Sequence, residues 1–334
     1  MHCERASEDV YIFTSERYAQ VTASLIISGG SGILIDTLPF PDETLQIALL
    51  ARKRCPDGVR FIIYTGHEAD HVYGAFLFPK AEIIAHDMTR EILRERGFAA
   101  LEKAKEQSPE LAPVKLRLPT FTFSTGSLML RLPGKTLEIF HTPGHTADCL
   151  SVLLHEERLL FAGDTVMGIP SIVNGDPEQL KQSLEKISSL SLESIIQGHG
   201  EIILRGEIKE SLRRQIGYID SLHNKVQKLI ESGGSRDDVR AITIEQCGLS
   251  RVLLGGVALQ LHTANALATY DRLIAKQRAG QSAKQQTSAS RQRAKKPTAA
   301  QRAKNKTRAA KSKGTAKKAK ATVAKSKART AKRK

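Results

Sequence analysis

The sequence predicts an α/β protein built from two packed β-sheets covered by helices and followed by a basic tail. Three features carry that reading. Short apolar runs of strand length recur through the first 163 residues, helical patterns fall between and after them, and the composition changes character past residue 276.

Taken in order, the first strands are VYIFT (10–14), VTASLIIS (21–28), GILIDT (32–37) and FIIYT (61–65), with an amphipathic helix at 41–54 between the last two. The glycines of SGGSG (28–32) lie between two of these strands, as a hairpin turn requires. A second set reads EIIA (82–85), FTF (121–123), LMLRL (128–132), LEIFHT (137–142), CLSVLLH (149–155) and RLLFAG (158–163). Helices are expected at 87–107, 178–189, 207–231, 236–247 and 250–275; the last carries Leu253, Leu254, Val257, Leu261, Ala264, Leu267 and Leu273 at helical spacing. The boundaries that follow are a main domain over 1–230, a helical extension packed on it over 231–275, and a disordered tail over 276–334.

Charge is segregated along the chain. From Lys276 to Lys334 there are 22 Lys and Arg and no acidic residue, which leaves 29 basic against 35 acidic residues in the body. The formal charge of +16 therefore belongs to the tail, and the body is mildly acidic. Beyond Gln277 the tail holds no aromatic residue and a single large aliphatic one, Val323, too little apolar surface to offset the entropy of ordering. Cys3, Cys55, Cys149 and Cys247 are far apart and form no CxxC pair, against a zinc ribbon and against a disulfide framework. No stretch reaches the roughly 18 apolar residues of a membrane span, and the N-terminus has no apolar signal region, so a cytoplasmic protein is expected.

Four segments concentrate chemistry at predicted strand ends: TGHEADH (65–71), HTPGHT (141–146), AGDT (162–165) and QGHG (197–200). They offer His67, Glu68, Asp70, His71, His145, Asp164 and His199, a mixed nitrogen and oxygen donor set suited to zinc, iron or manganese. His86, His155, His223 and His262 lie outside these segments and read as ordinary polar residues.

From about Val10 to His223 these motifs resemble the metallo-β-lactamase superfamily, with its HxHxDH motif, a His after TPGH, an Asp in GD and a late His in GHG. The resemblance implies a four-layer αββα sandwich of two mixed β-sheets. It also implies Asp70, His71 and His199 as ligands of one metal, Asp164 as the bridge, and His145 as a ligand of the other. Asp36, in LIDT, matches the buried aspartate that braces the metal loop, and His141 is expected beside the ligands. The chain departs from the family in the first motif, where the two leading histidines fall on Gly66 and Glu68. Glu68 resembles the HxExDH variant of flavodiiron proteins and is expected as a ligand. His67 is off register by one residue and would serve only if the loop shifted.

The implied cofactor is one or two divalent ions, zinc first, with iron or manganese as alternatives because Glu68 hardens the donor set. Such a centre activates water and polarises a scissile carbonyl or phosphoryl group, with Asp70 as the residue that orients the water and passes a proton. The expected function is a metal-dependent hydrolase of an ester, thioester, lactone or phosphodiester bond in a small-molecule substrate. Two alternatives stand beside it: a nucleoid-binding protein on a catalytically weak scaffold, suggested by Gly66, and a di-iron redox protein, suggested by Glu68. Segment 87–119 is expected on the pocket rim. The tail, with Lys295, Lys296, Lys317, Lys318 and Arg333, resembles linker-histone tails and is expected to hold nucleic acid or another polyanion by counterion release, which would make the protein nucleoid-associated.

Overall fold

Ile12, Ile26, Ile33 and Ile35 alternate along their strands with Phe13, Leu25 and Leu34, and the two sets bury opposite faces of one sheet in separate apolar clusters. Both faces of that sheet are thus covered, which is why SLIIS and GILI read as nearly unbroken apolar runs. The computed structural model describes residues 1–295, 303–309 and 311. They fall into two units, Met1–Leu273 and Ile274–Lys334.

In the first unit, β1 (His2–Ser7), β2 (Val10–Thr14), β3 (Thr22–Ser28), β4 (Ser31–Ile35), β5 (Val59–Ile63), β6 (Glu82–His86) and β7 (Phe121–Phe123) form one sheet in sequence order. It is antiparallel from β1 to β4 and parallel from β4 to β7. The second sheet runs β13 (Ile203–Leu204), β12 (Ser194–Ile196), β11 (Leu159–Phe161), β10 (Leu150–Leu154), β9 (Lys135–His141) and β8 (Ser127–Leu132). All its pairs are antiparallel except β11 with β12.

Three cores stack across this arrangement. Ile26, Ile33, Ile63 and Ile84 of the first sheet meet Ile139, Leu150, Val152 and Phe161 of the second. The outer face of the first sheet packs on α1 (Pro41–Arg54) through Ile47 and Ala51, with Leu101 of α4 in the same cluster. Between those helices come the single turn α2 (Ala69–Val72) and α3 (Asp87–Ile92), which a π-helical turn joins to α4 (Phe98–Gln107). The outer face of the second sheet packs on α5 (Pro177–Ser188), α6 (Ile208–Glu231) and the first part of α7 (Ala258–Lys295) through Leu180, Leu184, Leu212, Tyr218 and Ala266. The result is the αββα sandwich of two mixed sheets. Helix ends follow local chemistry: Pro41 opens α1, with Asp42 and Glu43 in its first turn and Arg52, Lys53 and Arg54 in its last.

Several expectations need correction. β1 has no apolar alternation, being mostly exposed, and its backbone pairing with β2 makes it a strand. The stretch expected as a helix at 236–247 is two 3-10 turns, Asp237–Ala241 and Glu245–Cys247, the second ended by Gly248 at φ +89°. The last helix starts at Ala258 rather than 250, and it continues to Lys295 where the sequence suggested an end at 275. Its continuation is rich in Ala, Lys, Arg and Gln, good helix formers without a proline before Pro297. The second unit consists, among the described residues, of that continuation and a helical stretch at 303–309. The disorder expected over 276–334 otherwise concerns 296–302, 310 and 312–334, outside the described residues.

Ile139 is fully buried between the sheets. Ile139→Ala is expected to lower the unfolding free energy by about 3 kcal/mol, read as a lower urea midpoint at unchanged slope.

Candidate metal centre

Strand ends bring the four motifs to one edge of the sandwich. β5 runs into Thr65–Glu68 and then α2, which carries Asp70 and His71; the β9–β10 loop carries His145; a 3-10 turn after β11 carries Asp164; and the segment after β12 carries His199. The last of these is tied to the first sheet by backbone: Thr22 N–H donates to Gly198 O at 2.8 Å and Gly200 N–H to Gln20 O at 3.0 Å. The linking turn holds Ala19 and Gln20 at positive φ, a conformation costly for side-chain-bearing residues.

Six side chains gather in two triads. Asp70, His71 and His199 form one, and Glu68, His145 and Asp164 the other, with ligand atoms of each lying within 4.8 Å of one another. Each histidine spends its Nδ1–H outside the cluster. His71 donates to Asp36 Oδ2 at 2.8 Å, His145 to Ser171 O at 3.1 Å and His199 to Ala19 O at 3.0 Å. All three Nε2 atoms therefore face inward: His71 and His145 toward Asp164 Oδ2 at 3.2 and 3.3 Å, His199 toward Asp70 Oδ2 at 3.2 Å. His145 also meets the Glu68 carboxylate. Asp36 further accepts from the Thr65 backbone N–H and hydroxyl, so it fixes the start of the loop as well as the His71 ring.

Electrostatics follow from the buried Asp70 and Asp164 and the half-buried Glu68 facing three imidazoles. Burial alone would favour neutral histidines, and the Asp164 carboxylate overrides it: His145 is pushed up to about 9, with Glu68 adding to the effect, and His71 and His199 are raised as well. Burial would likewise raise Asp70 and Asp164, and the imidazoles hold both below the ordinary carboxylate range. The carboxylates thus favour protonated imidazoles where cations would bind, and metal uptake would compete with those protons. Asp164 Oδ1 is buried and accepts no hydrogen bond, with His199 Nε2 3.5 Å away. A cation is the partner that such an oxygen lacks, and inward-facing Nε2 atoms with orienting oxygens behind them are the donor arrangement of a transition-metal site. The residues fit the group.

Not every candidate joins the cluster. His67 belongs to neither triad; its Nδ1 donates to Asp148 Oδ1 at 2.9 Å, so the shift in register does not occur. His141, expected beside the ligands, instead donates to Ala147 O at 2.7 Å and stacks on His86 at 4.3 Å between ring centroids. A Cβ at Gly66 would meet nothing within 4 Å. Lys295 closes α7, and Lys296, Lys317, Lys318 and Arg333 lie outside the described residues.

Two residues near the centre escaped the sequence reading. Tyr18 is about half exposed, and its phenol is raised by the Asp70 carboxylate first, then by burial, Glu68 and Asp164. Asp148 is fully buried and accepts from His67, from Thr146 at 2.6 Å and from Thr89 at 2.8 Å, tying α3 to the loop that carries His145. Its place three residues after His145, in HTADC, was the available signal.

Fold and donor set together define an αββα protein with a candidate centre for two divalent cations. The chain belongs to the metallo-beta-lactamase superfamily, whose family model matches residues 17–207. It is 31% identical over 181 residues to the beta-lactamase-like protein 2 homolog of Caenorhabditis elegans, covering 54% of this chain and 55% of that protein. It is 37% identical over 97 residues to an atrochrysone carboxyl ACP thioesterase of Aspergillus fumigatus, covering 27% of this chain and 31% of that enzyme. The chain thus spans about half the length of the first of these relatives and a third of the second. A metallo-beta-lactamase family protein from Thermus thermophilus superposes with a TM-score of 0.60 at 17% identity, covering 81% of this chain and 95% of that one.

Burial would raise Asp148, and its three donors, His67 foremost, bring it down to about 2. A carboxylate depressed in the folded state contributes stability that is complete above about pH 4 and lost as pH falls toward 2, here roughly 2 kcal/mol. Asp148→Asn is expected to be less stable than the parent chain at pH 6 and to converge with it on acidification. Parallel thermal midpoints across that range would remove Asp148 as the source.

Proposed function

We propose that the chain is a metal-dependent hydrolase of small-molecule ester, thioester or lactone bonds. One observation carries the reading: Asp164 stands between two His/carboxylate triads, with one oxygen facing histidines of both and the other buried, without a hydrogen bond and 3.5 Å from His199 Nε2. Bound there, divalent cations would supply Lewis-acid polarisation of the scissile carbonyl and a lowered water pKa. Glu68, His145 and Asp164 would hold one ion, and Asp70, His71 and His199 the other. Asp70, held anionic, orients the attacking water and relays its proton to the leaving group. Asp36, Ser171 and Ala19 fix the three rings through Nδ1.

The substrate class rests on a cleft that the His199 segment borders through Gly200 and that none of the six donors lines. The cleft of about 580 Å³, within the range of small-molecule sites, is lined by Gln20, Gly168, Gly200 and Val252. Glu201, Glu207 and Glu210 outnumber Arg214 around it, a field that repels polyphosphates and favours acyl over phosphodiester substrates. A thioesterase among the relatives supports the same choice. Nitrogen and oxygen donors in equal number support zinc, and Glu68 keeps iron and the redox reading in view.

For the tail we propose polyanion binding, DNA first, through 22 cations that include Lys295, Lys296, Lys317, Lys318 and Arg333. That would place the enzyme on the nucleoid. Among the described residues no helix is long and apolar enough to cross a membrane. Deleting residues 276–334 is expected to abolish retention on DNA and leave ester turnover intact; lost turnover on small substrates would instead favour the nucleoid-binding scaffold.

Elemental analysis tests the centre directly. The full chain is expected to hold about two zinc ions, with Glu68→Ala and His199→Ala each losing one site. Gly66→His, whose Cβ would meet nothing within 4 Å, is expected to tighten the Glu68 triad. Acyl hydrolysis should vanish with chelator and return with zinc. A chain that takes up no metal overturns the proposal, and iron with an electron paramagnetic resonance signal replaces hydrolysis with redox chemistry.

A further inference from the structure

We infer that Asn265, on α7, is the positioning residue for His145, so that the C-terminal helices complete the metal centre rather than merely covering the sheet. The inference rests on the reading that Glu68, His145 and Asp164 hold a cation. His145 lies in the β9–β10 loop with no helix to frame it, and outside the cluster its ring is held by one bond, Nδ1–H to Ser171 O at 3.1 Å. Ser171 in turn lies in a segment without regular structure, between the Asp164 turn and α5.

One side chain grips that segment from behind. Asn265, fully buried, donates from Nδ2 to Pro170 O at 2.7 Å and accepts at Oδ1 from Ile172 N–H at 2.9 Å, so the residues on either side of Ser171 are held by a single carboxamide. Its remaining N–H donates to the Tyr218 hydroxyl at 3.1 Å. That hydroxyl donates to His262 Nδ1 at 3.0 Å, and His262 Nε2–H ends the chain on Ile242 O at 2.9 Å. Every donor and acceptor of Asn265 is used, which leaves one orientation of the amide. Arg272, two turns on, adds a guanidinium bond to Ile172 O at 2.7 Å and a longer one to Gly175 O.

On its other side the same segment is pressed against the ligand loop. Asp176 N–H donates to Gly144 O at 2.8 Å, and a Cβ at Gly175 would fall 1.9 Å from Gly144 O and 2.3 Å from His145 O. Asn265 therefore reaches His145 through two short contacts, Pro170–Ile172 and Ser171 O. A carboxamide is required because the grip needs a donor and an acceptor in one plane. A carboxylate offers no donor, and an aliphatic residue would leave a buried carbonyl and a buried N–H unpaired.

The test titrates the metal-free full chain with zinc, following stoichiometry and affinity by calorimetry beside the thermal midpoint of the metal-free protein. Asn265→Ala is expected to weaken one site, that of Glu68, His145 and Asp164, by about 10- to 100-fold, the loss typical of a removed ligand-orienting group, and to leave the other unchanged. Tyr218→Phe breaks the same buried network without touching 170–172; it should lower the midpoint and keep both affinities. Should Asn265→Ala prove unfolded, Arg272→Met loosens the same segment from its edge and should weaken the same site. Two intact sites in every folded variant, or equal losses in Asn265→Ala and Tyr218→Phe, would overturn the positioning role while the metal reading stands. No zinc uptake by the parent chain would defeat the metal reading and the inference with it.

Discussion

Asp164 offers one oxygen to His71 and His145 and keeps the other buried without a hydrogen bond, 3.5 Å from His199 Nε2, and the surrounding structure is arranged around that imbalance. A buried carboxylate with an unused lone pair is stable only if positive charge is near, and the three imidazoles around Asp164 are what hold it below the ordinary carboxylate range. The same imidazoles turn their Nδ1 atoms to fixed oxygens, so the charge cannot relax by rotating the rings away. Gly198 shows how close the packing is: a Cβ there would lie 2.1 Å from Asp164 Oδ1.

Holding six polar groups in this state requires both sheets. The first contributes Glu68, Asp70 and His71 through the end of β5, the second contributes His145, Asp164 and His199, and the apolar layer of Ile and Val side chains between them sets the spacing. Backbone bonds from Thr22 to Gly198 and from Gly200 to Gln20 stitch the edges together where the two sets meet. Strain at Ala19 and Gln20 is tolerated there because the turn delivers a carbonyl to His199.

The layers outside the sheets act on the centre through the loops they support. α3 reaches the His145 loop through Thr89 and Asp148, and α7 reaches it through Asn265 and the 170–176 segment. Cys149, beside these groups, is buried, and burial and the adjacent Asp148 push its thiol up, which disfavours the thiolate. The chemistry available at this edge is that of carboxylates and imidazoles.

The sequence by itself determined the alternation that builds both sheets, the placement of donors at strand ends and the separation of an acidic body from a basic tail, because each of these is written in neighbouring residues. Asp36 was legible only through the family resemblance, which matched LIDT to the aspartate that braces the metal loop. The tertiary structure decided which ring nitrogen faces the centre, since the oxygens that settle it lie 35, 26 and 180 residues from His71, His145 and His199. It also decided that His67 turns to Asp148 and His141 to His86, choices made by packing that periodicity does not encode. β1 and the 3-10 turns after α6 were missed because backbone pairing and chain closure, rather than side-chain pattern, hold them in place.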